Sequence, residues 1–372
     1  MIKKTLTSFL LPTLLSLSFG SLATEYPLTV TDLDGRSVTL QHEPQRIILQ
    51  DGRDIMAMAL LDKENPFMRV VAWNNLAKRQ DINTWQLLKE KWPRSADILD
   101  MGFSDKGNVN LESVIARNPD LMIAQLRAKP ALTESGVIDK LSNLHIPVVF
   151  VDYEVHPLKD TAPSIDLLGQ ILNREDNARA FTGYYRAQLR IIHDKTDSIT
   201  PKPRVFVEAL AGNSDACCFS HSHSGWGGLV EAVGATNLGS QLLPGASGFV
   251  SLEKIISMKP DTYIMTGSKR GNSQVLPLGY AANGEDVNDQ AGKLVERSGV
   301  RDIPAVKENR AYGVYHHFYN HPWNIVGMEY LAKDIYPDAF SSLNPDDTYH
   351  YIVRNFTSLP DSPFIFSWHE GK

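Results

Sequence analysis

Cysteine is nearly absent from this 372-residue chain: the only two, Cys217 and Cys218, are neighbours. Adjacent residues cannot close a loop, so no disulfide framework staples the fold. Three states stay open for the pair: a vicinal disulfide, two thiols, or contact with a ligand. Also missing are a basic run, a low-complexity tract and, past the N-terminus, any apolar segment long enough to span a bilayer. Acidic residues outnumber basic ones, 43 to 37, for a net charge of −6. An acidic chain without a basic patch is a poor partner for nucleic acid or anionic lipid. The length suits two medium domains, each with a full hydrophobic core.

The N-terminus has its own texture. Lys3 and Lys4 precede an apolar stretch, Leu6 to Phe19, interrupted by Pro12, and Ser21-Leu22-Ala23 offers small residues for cleavage. Residues 1–23 therefore read as a signal peptide, with Thr24 opening the mature chain. No cysteine lies at the cleavage site, so a lipid anchor is not expected. The reading is a soluble exported protein, most simply of a bacterial periplasm. Loss of the leader with its two lysines takes the net charge to −8.

Two stretches repeat each other 141 residues apart: Gly107-Asn-Val-Asn-Leu-Glu-Ser-Val-Ile-Ala-Arg-Asn-Pro-Asp120 and Gly248-Phe-Val-Ser-Leu-Glu-Lys-Ile-Ile-Ser-Met-Lys-Pro-Asp261. The offset is too long for a solenoid and implies two lobes built alike. Asn110 and Ser251 suit helix N-caps, Val109 with Val114 and Val250 with Ile255 suit hydrophobic staples, and Pro119 and Pro260 end each helix. Each unit sets one carboxylate, Glu112 or Glu253, in the first turn of a short helix that leads into an apolar strand.

Leu28 to Thr31 and Ser37 to Leu40 alternate around Asp32-Leu-Asp-Gly35, the pattern of a hairpin. Strand candidates at Arg46–Leu49, Arg69–Ala72, Leu121–Ala124 and Pro147–Val151 then alternate with helices at Ile55–Leu61, Thr84–Lys91, Leu111–Ala116 and Val137–Leu144. Such alternation predicts a mostly parallel α/β sheet. Leu158–Leu172 and Glu175–Ser198 carry helical periodicity before Pro201 and Pro203 close the segment. Strands resume at Arg204–Val207, Tyr263–Thr266 and Ala311–Val314, with helices at Trp226–Val233, Leu252–Met258, Lys293–Arg297 and Trp323–Tyr336. The polar, glycine-rich stretch Gly267 to Gly292 reads as a surface excursion.

Leader, α/β lobe, helical connection and second α/β lobe together resemble the helix-linked periplasmic binding proteins of ABC importers. The resemblance covers nearly the whole mature chain. Its most specific pieces are the two Glu-containing repeats, Trp226-Gly-Gly-Leu-Val-Glu-Ala-Val-Gly-Ala-Thr-Asn237, and Tyr319-Asn-His-Pro-Trp-Asn324 leading into Glu329-Tyr-Leu-Ala-Lys-Asp-Ile-Tyr-Pro337. It implies two Rossmann-like lobes joined by one long connecting helix, with the ligand cleft between them. The expected divisions are residues 24–156, 157–200 and 201–372. It also implies a monomeric transport receptor without catalysis or a cofactor of its own, presenting a ferric siderophore to an inner-membrane permease dimer. Haem, cobalamin, a metal or an oxyanion are alternative cargoes, and a chelatase-like exported enzyme is the remote one. In the family, an exposed glutamate on each lobe meets the permease; Glu112 and Glu253 occupy those positions.

Ligands of open α/β sheets sit beyond the carboxyl ends of strands. That rule nominates Arg53, Trp73 and Arg127 in the first lobe. In the second it nominates Trp226 at the end of the Asp215–Trp226 loop, then Lys269, Arg270, His316, His317 and Tyr319. Arginine, histidine and aromatic rings suit a bulky anionic ligand with planar groups, such as a ferric catecholate. His221 and His223, close to the cysteines, are the metal-ligating candidates, although their spacing matches no standard zinc site. Ser220 with His221 and Asp215 lacks the nucleophile elbow of a hydrolase.

Overall fold

The computed structural model of the protein describes residues 24–102, 111–214, 217–269 and 274–370. The signal-peptide reading of residues 1–23, the cap and staple residues Asn110 and Val109, Asp215, and the cleft candidate Arg270 lie outside the described residues.

In the first lobe, β1 (Leu28–Thr31) and β2 (Ser37–Leu40) form the expected hairpin. Asp32 closes it, accepting from the amides of Asp34 and Arg36 and pairing with the Arg36 guanidinium at 2.7 Å. Then β3 (Ile47–Leu49), β4 (Val70–Trp73), β5 (Leu99–Asp100), β6 (Leu121–Gln125) and β7 (Val148–Val151) make one parallel sheet in the order β5-β4-β3-β6-β7. β6 and β7 are buried along their whole length. Helices cover both faces, which is why these strands are continuous apolar runs and not alternating ones.

The second lobe comprises β8 (Arg204–Glu208), β9 (Phe219–His221), β10 (Thr236–Asn237), β11 (Ser247–Phe249), β12 (Thr262–Gly267), β13 (Gly279–Tyr280), β14 (Ala311–Tyr315), β15 (Phe364–Ile365) and β16 (Ser367–His369). Its sheet runs β10-β8-β12-β14-β16, parallel except for the antiparallel edge strand β16. β9 with β11 and β13 with β15 are separate antiparallel ribbons.

The connecting segment differs from a single long helix. It is a packed pair, Pro157–Ile171 and Glu175–Thr196, broken where Asn173 takes a left-handed φ of 56°. The 22-residue second helix packs on Ile55–Leu61 of the first lobe and on Asn324–Ile335 and Pro345–Phe356 of the second. Asn324 ties the junction together. Its amide donates to Thr161 Oγ1 at 2.9 Å and to the Tyr153 carbonyl, while its oxygen accepts from the Tyr185 hydroxyl at 2.8 Å.

The sequence repeat has a structural counterpart. Asn118 and Lys259 both take left-handed φ, 48° and 47°, just before their prolines. Asp120 and Asp261 then do the same work. Asp120 accepts from the amides of Gln45 and Arg46, and Asp261 from that of Arg204, so each carboxylate fastens the start of a neighbouring strand. Proline and aspartate recur for folding, which leaves the exposed Glu112 and Glu253 as the repeated residues with no interior task. Ser251 stands at the N-cap position, but its side chain makes no capping bond.

The stretch Gly267–Gly292 is not a surface excursion. Val275, Leu276 and Leu278 are buried, and Asn283 caps an amphipathic helix, Gly284–Val295, by accepting from Glu285 and Asp286 amides. Glycine and polar residues hid three apolar anchors there.

Candidate functional site

Three adjacent strands of the first lobe end in charged residues that meet. Asp51 follows β3, and Gly52 allows the turn, since a β-carbon there would lie 1.9 Å from the Asn74 carbonyl oxygen. The turn brings Arg53 back onto Asp51: its amide and Nε donate to Oδ1 at 2.9 Å each, and Nη2 to Oδ2 at 2.5 Å. Arg127, beyond β6, donates from Nη2 to the same Oδ2 at 2.6 Å, and its Nε lies 3.1 Å from Glu154 beyond β7. Burial opposes ionisation of Asp51, yet the two guanidiniums outweigh it and hold the carboxyl well below the usual range. Burial and the adjacent Asp51 push Asp54 the opposite way, well above that range, and the Gln125 amide donates to it.

The second lobe answers with rings. After β14 the chain makes a tight turn, His316–Asn320, whose residues are all buried. With its amide oxygen toward them, Asn320 accepts from Arg53 Nη1 and from the Tyr319 hydroxyl at 3.1 Å, and its nitrogen donates to the His317 carbonyl at 2.9 Å. His317 lies parallel to His321 with 6.1 Å between centroids. Burial, then the charge of Arg53, press His321 down to about 3, so it is a neutral ring at neutral pH. His316 shares a 2.8 Å hydrogen bond with Thr266, and its carbonyl accepts from the Trp226 indole at 3.1 Å. Tyr319 packs 5.3 Å from His221, whose basicity burial lowers.

The lobes touch directly beside this cluster. The Tyr315 hydroxyl donates to Asp81, Ser268 to the Gln80 carbonyl at 3.3 Å, and Asn83 to the Tyr280 carbonyl. The cavity lined by Arg53, Met56, Leu76, Asp81, Tyr315, His317 and His321 holds about 20 Å³, room for one water. A guest larger than a water does not fit that cavity as it stands.

The structure thus brings together Arg53, Arg127, His316, His317 and Tyr319 from the strand-end candidates, with Trp226 supporting His316 from below. Trp73 is not among them. It is 1% exposed and packs against Phe67 and Trp85 at 5.4 and 5.7 Å, so its ring belongs to the first-lobe core. Lys269 is half-buried beyond β12. His221 and His223 are not paired as metal ligands: His221 packs on rings, while His223 is exposed and meets Glu231 at 2.9 Å. Among the described residues, the donor groupings within mutual reach are Glu208 with Cys217 and Cys218, and Asp152 with His156 and Asp160; neither includes His221 or His223. Cys217 and Cys218 are joined as a vicinal disulfide, and Glu208 is held by Arg297 at 2.9 and 2.5 Å. Ser220 donates to the Val207 carbonyl at 2.7 Å, turned away from any nucleophilic role. Sequence reasoning missed Asp51, Glu154 and Asn320, although Asp51 and Asn320 lie within two residues of the nominated Arg53 and Tyr319.

Residues 70–315 match the sequence pattern of the periplasmic binding protein family. The chain belongs to that family. Its class is the helix-linked, vitamin B12 and siderophore type, whose members serve ABC transporters. It is 23% identical to an uncharacterized ABC transporter substrate-binding lipoprotein, YvrC of Bacillus subtilis, over 85% of this chain and 87% of that one. It is 22% identical to the molybdate-binding protein MolA of Haemophilus influenzae over 94% of this chain and 96% of that one. The crystal structure of the TroA-like periplasmic binding protein FepB from Veillonella parvula superposes with a TM-score of 0.83 at 24% identity, covering 92% of this chain and 99% of that one. That likeness fixes the two-lobed fold. No helix among the described residues is long and apolar enough to cross a membrane.

Proposed function

We propose that this periplasmic binding protein carries a ferric chelate of siderophore type, held at the Arg53–Arg127 cluster against Tyr319, His316 and His317, with Trp226 behind His316 and Lys269 beyond β12. It delivers the chelate, chemically unchanged and without a cofactor, to an ABC permease dimer. The protein acts as an exported, unanchored monomer, with lobes at 24–156 and 201–372 and the connection at 157–200.

The observation that carries this reading is the charge balance of the cluster. Two guanidiniums face Asp51 and Glu154, so directed N–H groups converge there without a large net positive charge. A compact dianion gains most where positive charge is uncompensated. A large chelate that spreads its charge over many oxygens gains from directed donors and flanking rings. The molybdate-binding relative makes a bare oxyanion the competing cargo.

Titration of the purified protein with a ferric tris-catecholate, haem, cobalamin and molybdate decides between them by tryptophan fluorescence and calorimetry. The ferric chelate is expected to saturate one site, and Arg53→Gln or Arg127→Gln to weaken it about 10- to 100-fold, as loss of a charge-assisted hydrogen bond does. Saturation by molybdate with no response to the chelate overturns the reading.

Glu112 and Glu253 we assign to the permease. Both are exposed in the first turns of matched helices, so a two-fold partner would meet two similar carboxylates. Such rim charges set orientation and association rate more than affinity.

A further inference from the structure

One exposed group is not used by the fold. Phe249 is 58% exposed, the most exposed large hydrophobic side chain among the described residues. It sits on the β9–β11 ribbon directly opposite Phe219, and the two rings meet edge to face at 5.4 Å. Phe219 and His221 are two apart on β9, so they share a face, with centroids 5.6 Å apart. His221 in turn lies 5.3 Å from Tyr319. Tyr319 and Arg53 meet at the Asn320 amide.

A continuous row of rings therefore leaves the charged cluster and reaches solvent. Exposure rises along it: Tyr319 and His221 are buried, Phe219 half-buried and Phe249 exposed. Gly225 permits the inner contact, because at its φ of 54° a β-carbon would stand 3.1 Å from His221 Nδ1 and 3.2 Å from Tyr319 Cδ2. His221 Nδ1 is itself buried without a hydrogen-bond partner. Ser220, on the other face of β9, is spent on the Val207 carbonyl, so the rings of the ribbon lie together on one side.

We infer that Phe249 and Phe219 extend the ligand site as an aromatic shelf, which takes a ring of the cargo that projects beyond the Arg53–Arg127 cluster. The inference rests on the reading of the cargo as a chelate with planar arms, and it narrows that class. The ligand must be long enough to carry an aromatic or heteroaromatic ring outward while its anionic oxygens face the guanidiniums. A compact oxyanion reaches none of the shelf. Edge-to-face and offset contacts with such rings contribute modestly and tolerate several ring chemistries, which suits related chelates.

The test uses the full mature chain with Phe249→Ala and Phe249→Leu, chosen because an exposed side chain can be changed without emptying the core. Calorimetric titrations with a ferric tris-catecholate, haem and molybdate are run beside thermal melts. Both variants are expected to weaken the chelate about 3- to 10-fold with an unchanged Tm, the ring contact being worth about that factor. Wild-type binding of the chelate that both variants retain within about twofold overturns the shelf while leaving the cargo reading intact. Retained affinity with reduced uptake assigns Phe249 to the permease and also overturns it. Wild-type protein that takes molybdate alone, or none of the three, removes the cargo reading and the shelf with it.

Discussion

The two lobes share a fold and divide the chemistry. The first buries charges at the cleft: Asp51, Arg53 and Arg127 stand at strand ends that face the other lobe. The second buries its charges inside itself. Glu208 takes both guanidinium nitrogens of Arg297 and the Tyr263 hydroxyl, and Glu329 is enclosed within the helix Asn324–Ile335. What the second lobe offers the cleft is rings. The Pro-Asp turn and the glutamate helix recur in both lobes, whereas the residues at the strand ends differ.

That contrast can be broken most forcefully at Arg297. Replacing it with alanine leaves Glu208 buried without its cation and is expected to cost about 3–5 kcal/mol of stability. Chemical denaturation would register the loss, while ligand affinity of the folded fraction stays unchanged. A large affinity loss with little change in stability would put Glu208 in the cleft.

Glu329 gives a smaller, pH-dependent effect. Burial raises its pKa from 4.5 to about 8. Folding thus holds a proton that the unfolded chain releases, so the stability from this group is complete below pH 4.5 and is lost as pH rises to about 8. Glu329→Gln removes the titration. Its stability relative to wild type is expected to climb across that window by a few kcal/mol in all, read from melts at successive pH values. A difference that stays flat from pH 4.5 to 8 would mean the carboxylate is ionised in place.

Much of this was legible in the sequence. The hairpin, the parallel strands and most helices follow from apolar periodicity, and the strand-end rule found Arg53, Arg127 and the His316–Tyr319 turn. The rule says where a strand stops but not which way its last side chain points. Trp73 and Glu208 are both final strand residues, and both turn inward, one onto Phe67 and Trp85, the other onto Arg297. Asp51 and Glu154 escaped notice for a different reason. Asp51, two residues from Arg53, looks like half of an exposed pair in sequence, and Glu154 has no arginine near it in the chain; only the convergence of β3, β6 and β7 shows that Asp51 organises two arginines from separate loops. The break at Asn173 already separates the helical stretches Leu158–Leu172 and Glu175–Ser198 in the sequence; what the periodicity does not show is that the two pack side by side as a pair.

The separation of cargo from docking is the claim on which the account stands. Its most direct test is one paired measurement: chelate affinity by calorimetry and uptake by cells, for Glu112→Lys/Glu253→Lys and for Arg53→Gln/Arg127→Gln. The glutamate pair should abolish most uptake and leave affinity within about twofold, since rim charges act mainly on association with the partner. The arginine pair should lose at least about tenfold in affinity, the scale of one charge-assisted hydrogen bond. Unchanged affinity in the arginine pair, or a comparable loss in the glutamate pair, would contradict it.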